Sequence, residues 1–77
     1  MIKENVRKLM NTHLEMARNT PSEEVAEVQL NVVRGFIEYA VENGDITSRE
    51  FAAESNVLKL VREQRRVASI AKGMHHA

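Results

Sequence analysis

Helix punctuation limits most strongly what this chain can become. Thr20-Pro21-Ser22-Glu23 has the form of a capping box. In that motif the hydroxyl accepts from an amide three residues on, and the glutamate reaches back to the cap amide. Proline suits a first helical position, where its missing N–H would be unpaired anyway. Glu23 and Glu24 meet the positive end of the helix dipole. Asn43-Gly44 then offers a left-handed stop. The same grammar returns at Thr47-Ser48-Arg49-Glu50, with Ile46 and Phe51 spaced as a hydrophobic staple. A chain punctuated in this way is a set of helices joined by tight turns.

The reading is all-α: a three-helix antiparallel hairpin or bundle over about 2–19, 21–43 and 48–72. In the first segment Ile2, Val6, Leu9, Met10, Leu14 and Ala17 recur at steps of three and four, within an arc of roughly 120°. In the third, Val57, Leu60, Val61, Val67, Ala68 and Ala71 share an arc of about 120°. Phe51 falls outside that arc. It therefore makes a separate contact, or the helix kinks near 54–56, where Ser55 could cap a restart. Gly73 is read as the stop, with residues 73–77 a frayed tail.

The middle segment differs from its neighbours. Its apolar residues, from Val25 to Val41, cover roughly 220° of the helix circumference. A helix on the surface of a monomer usually shows a stripe somewhat over 100° wide. Two neighbours from the same chain could cover such a helix, or a second copy could share the task. A single domain of 77 residues buries only about 60% of its unfolded surface. It contains no cysteine to brace itself. A homodimer through the central helix is therefore expected, with Val28, Leu30, Val33, Ile37, Tyr39 and Val41 as its interface. Gly35 is out of place inside a helix. It reflects either close approach of another helix or plain tolerance, and the two readings weigh equally.

Charge is balanced overall but not along the chain. Residues 21–54 carry eight acids against two bases, and residues 55–77 carry five bases against one acid. Lys59, Arg62, Arg65 and Arg66 form a basic surface that could meet an anionic partner, either nucleic-acid phosphate or an acidic protein. The pairs Glu23/Glu27, Glu38/Glu42 and Glu50/Glu54 read as solvated helix faces rather than acid–base machinery. His13 sits on the apolar face of the first helix as a boundary residue. His75 and His76 are adjacent and point different ways, so neither a metal nor a cofactor is expected.

No run of about 18 apolar residues would span a membrane. Lys3, Glu4, Arg7 and Lys8 break any export signal, so a cytoplasmic protein is expected. The functional expectation is a non-enzymatic helical interaction module. It would be a homodimeric regulator or inhibitor that binds another macromolecule, with no small-molecule substrate. The alternative is a nucleic-acid-associated regulator using the basic face.

Overall fold

The computed structural model describes residues 1–76, with side chains through Ala71. Three helices follow one another: α1 (Glu4–Asn19), α2 (Glu23–Glu42) and α3 (Ser48–His76), with no strand among the described residues. Arg62 and Arg65 of α3 meet Glu27 and Glu23 of α2, so the later α3 residue meets the earlier α2 residue and these helices run antiparallel. Arg7 meets Glu54 and Ala17 meets Arg65, so α1 and α3 run in the same direction. α2 lies between the two and packs against both.

The turn between α2 and α3 follows the sequence expectation closely. Asn43 ends α2, and Gly44 takes φ +71°. The Asp45 amide donates back to the Ala40 carbonyl at 2.8 Å, and the Gly44 amide to Val41 at 3.0 Å. These are the two bonds of a Schellman motif, and they satisfy carbonyls that a helix end leaves open. Thr47 and Glu50 then close the reciprocal box, each side chain accepting the other's amide at 3.1 Å. Ile46, just before the box, is buried in the core.

The start of α2 departs from expectation. The helix begins at Glu23, not Pro21, and Ser22 is its cap, accepting the Val25 amide at 3.2 Å. Thr20 instead accepts the Ser22 amide at 3.2 Å. Both hydroxyls are competent caps, and the threonine is used to turn the chain while the serine starts the helix. At the other end of the chain, α3 runs unbroken through residues 54–56 and past Gly73 to His76. It thus extends beyond the end expected at Lys72. The expected fray at 73–77 falls where side chains are not described, and Ala77 lies outside the described residues.

The core is a single cluster. Met10, Leu14 and Ala17 of α1 meet Leu30, Val33, Ile37 and Ala40 of α2, with Leu58 and Val61 closing it from α3 and Ile2 and Ile46 at one end. The contribution of α3 is narrower than its 120° arc suggested. Leu58 and Val61 are buried, whereas Leu60 and Val67, grouped with Val61 in the sequence, lie on the outside. A helix resting on a hairpin contacts it along one thin strip, so the edges of a wide apolar arc remain in solvent. No helix among the described residues is long and apolar enough to cross a membrane.

A two-pronged ion pair joins α1 to α3. Arg7 donates to both carboxylate oxygens of Glu54, and the Glu54 side chain is mostly covered. The hydrogen bonds from Arg7 hold the Glu54 carboxyl below its usual range, against an opposing effect of burial. A carboxylate with a lowered folded-state pKa stabilises the fold fully above the ordinary carboxylate range, and that contribution disappears as pH falls through the lowered value.

Two outcomes are expected. Glu54→Gln should cost about 1 kcal/mol at neutral pH. Its deficit against the parent should shrink as pH drops below the carboxylate range, as read by thermal melts across pH. Gly44→Ala should cost about 1–2 kcal/mol, because an L side chain is strained at a left-handed position. Denaturant titration of the pair of proteins would measure it.

Candidate functional site

The six residues expected at an interface divide into two groups. Leu30, Val33 and Ile37 are 0–1% exposed within the chain's own core. They are therefore not available to a partner, because α1 and α3 already cover that side of α2. Val28, Tyr39 and Val41 are exposed at 57%, 61% and 42%. Val41 stands apart: at 100° per residue it lies about 140° around the helix from Val28.

The exposed apolar residues of α2 form a different set from the expected one. Val25, Val28, Val32, Gly35 and Tyr39 follow one another at alternating steps of three and four, the spacing of a helix–helix seam. All of them are exposed. The seam occupies the side of α2 away from α3, beside a polar stripe that includes Glu24, Asn31 and Glu38. An ideal Cβ built on Gly35 meets nothing within 4 Å.

α1 extends the same surface. Leu9 and Met16 are half-exposed, and His13 sits between them. The His13 Nδ1 and the Gln29 Oε1 are 2.5 Å apart. The imidazole also lies 6.3 Å from the Phe36 ring, centre to centre, tilted by 37°. His13, Gln29 and Phe36 thus form the floor between two outer rows, Leu9 and Met16 on α1 and the valine seam on α2. This face of the α1–α2 hairpin is turned away from α3.

The basic residues expected to meet an anionic partner are mostly engaged within the chain. Arg62 donates to both carboxylate oxygens of Glu27 at 3.0 and 3.1 Å. Those hydrogen bonds lower the Glu27 carboxyl and raise the Arg62 guanidinium from their ordinary values. Arg66 pairs with Glu63 one turn earlier, and the same shifts follow from their hydrogen bonds. Arg65 is the most buried of the group. Its guanidinium donates to the Ala17 and Thr20 carbonyls at 2.7 Å each and to Glu23 at 2.9 Å. It therefore closes the end of α1 and fixes α3 to the corner between α1 and α2, although its Nε is buried without a partner. Lys59 alone of the four makes no ion pair among the described residues.

Beside Arg65 is an open cleft of about 450 Å³, bordered by Thr20, Pro21, Val61, Gln64 and Ala68. Its charged groups are already paired. Among the described residues no group of three histidines, cysteines or acids is placed to hold a metal ion.

No family model, curated protein or solved structure matches this chain. Its functional reading therefore rests on the surfaces themselves. Besides the valine seam, a second exposed apolar set lies on the outside of α3: Leu60 and Val67, which the sequence grouped with the core, and Ile70. The burial of Leu58, two residues before Leu60, rotates the core strip away from the arc's centre and leaves this set outside. Residues 66–71 are all exposed, as α3 continues past the corner held by Arg65.

Arg65→Met keeps much of the side chain's bulk but removes every donation to Ala17, Thr20 and Glu23. It should cost about 2 kcal/mol. Thermal melting of the variant beside wild type would show this as a lower midpoint.

Proposed function

We propose that this chain is a small helical protein-interaction module. It is a homodimer that regulates or inhibits another macromolecule by binding it, without catalysis of its own. The observation carrying this reading is the valine seam, exposed along α2 and joined by Leu9 and Met16 of α1. By the usual areas of such side chains, this face leaves on the order of 500 Å² of apolar surface in water, near the top of the range for a monomer's largest patch. An apolar face of that size, at helix-packing spacing, suits a second helical surface.

The dimer seam lies on the α1–α2 hairpin, and the outside of α3 remains open. Leu60, Val67 and Ile70, with Lys59 beside them, form the surface for the other macromolecule in this reading. The arrangement divides the chain's tasks between its two faces. Nucleic acid is not carried as a second reading, because Arg62, Arg65 and Arg66 already have carboxylate partners. Phosphate binding would first have to break those pairs.

The test is the solution mass. Light scattering on the wild-type chain at micromolar concentration should report about twice 8.8 kDa. Val28→Glu with Val32→Glu should return it to the monomer mass while keeping the helical circular dichroism, since neither side chain belongs to the core. A wild-type chain that stays monomeric across that range removes the reading.

A further inference from the structure

The exposed apolar residues of the hairpin are balanced about one level of the two helices. α1 and α2 run antiparallel, and the contacts of His13 with Gln29 and Phe36 set their relative height. His13 lies level with the midpoint of those two residues, which falls between Val32 and Val33. On α1 the outer pair Leu9 and Met16 is centred between Thr12 and His13. On α2 the outer pair Val25 and Tyr39 is centred on Val32, and Val28 and Gly35 on the step from Asn31 to Val32. The exposed residues of both helices are thus balanced about one line crossing the hairpin at the level of His13 and Val32.

A twofold interface requires a patch that complements itself, so that each contact occurs twice with its partners exchanged. We infer that a second copy of this chain occupies the face, with a twofold axis along that line, so that α2 packs antiparallel on α2 and α1 on α1 in a four-helix bundle of two layers. The inference rests on the dimer reading above and specifies its geometry. Val32 then meets its own counterpart near the axis. Val25 of one copy meets Tyr39 of the other, and Leu9 meets Met16.

Val28 of one copy faces Gly35 of the other, which gives the glycine a role. Nothing within the chain requires it: its φ is not left-handed, and a Cβ there would touch nothing. Glycine nevertheless weakens an exposed helix interior relative to alanine. In the dimer the missing side chain becomes the hole that receives Val28 and lets two helices approach closely. Area supports the same occupant. A stable interface needs about 800 Å² from each partner. The exposed rows alone supply more than half of it, and the partly exposed floor of His13, Gln29 and Phe36 adds to them.

The absence of cysteine makes the geometry directly testable. Single and mixed cysteine variants of the full chain are oxidised under dilute conditions and resolved by non-reducing electrophoresis. Val32→Cys should cross-link to itself. Val25→Cys should cross-link to Tyr39→Cys when the two variants are mixed, and each alone should cross-link at least tenfold less. Efficient self-cross-linking of Val25→Cys in a chain that is still dimeric by light scattering would overturn the antiparallel axis and leave the dimer reading intact. Gly35→Ala gives an independent readout. In the monomeric Val28→Glu/Val32→Glu background it should raise the melting temperature. In the wild-type background it should weaken dimerisation about tenfold. Unchanged or tighter dimerisation by Gly35→Ala would overturn the role given to Gly35 and the register with it.

Discussion

The fold depends on α2 being buried on both sides of its core face. Leu30, Val33 and Ile37 are inaccessible because α1 covers one flank and α3 the other. Neither neighbour has a comparable position, since α1 and α3 touch each other far less than either touches α2. Loss of burial along α2 would therefore detach both other helices at once. In a chain this short, where total stability is a small difference between large opposing quantities, that leaves little redundancy. The cost is visible on the opposite side of the helix, where the apolar circumference exceeds what two neighbours can cover.

Charge contributes in a different way. The arginines of α3 read in sequence as a surface for a partner, yet three of them bind this chain's own carboxylates and carbonyls. With a thin apolar strip of Leu58 and Val61 beneath it, α3 depends on these side chains for its position. Arg65 is the most consequential, since it ends one helix while anchoring another. Arg7 does for the opposite end of α1 what Arg65 does for its last turn. Exposed pairs of this kind are individually weak. Arg7 and Arg62 strengthen theirs by two-pronged geometry, and Arg65, whose side chain is the most covered, adds two carbonyl acceptors to its carboxylate.

Local signals in the sequence were legible and distant ones were not. Thr47, Glu50, Asn43 and Gly44 were legible because caps and turns are made by near neighbours, and near neighbours are adjacent in sequence. Thr20 was misread for the same reason in reverse: two competent caps stood two residues apart, and only the path of the chain after α1 selected Ser22. The roles of Leu60 and Val67 were not legible. An ideal helix projection gives the width of an apolar arc but not which part of it a neighbour covers. Arg65 was hidden for a further reason, because two of its three acceptors are backbone carbonyls in a distant segment and carry no sequence signature. Dividing the expected interface into buried Leu30, Val33 and Ile37 and exposed Val28 required knowing which flank of α2 each neighbour takes.

The overhanging end of α3 grows from a helix already started elsewhere. Initiating a helix is its unfavourable step, and adding residues to an existing one is comparatively cheap. The capping box at Thr47 and the strip of Leu58 and Val61 supply the start, so residues 66–71 need no tertiary support of their own to continue it. A segment held in this way is uncoupled from the packing problem solved by the rest of the molecule. It can gain or lose length without any core side chain having to change, so the reach of α3 is set apart from the packing of the core.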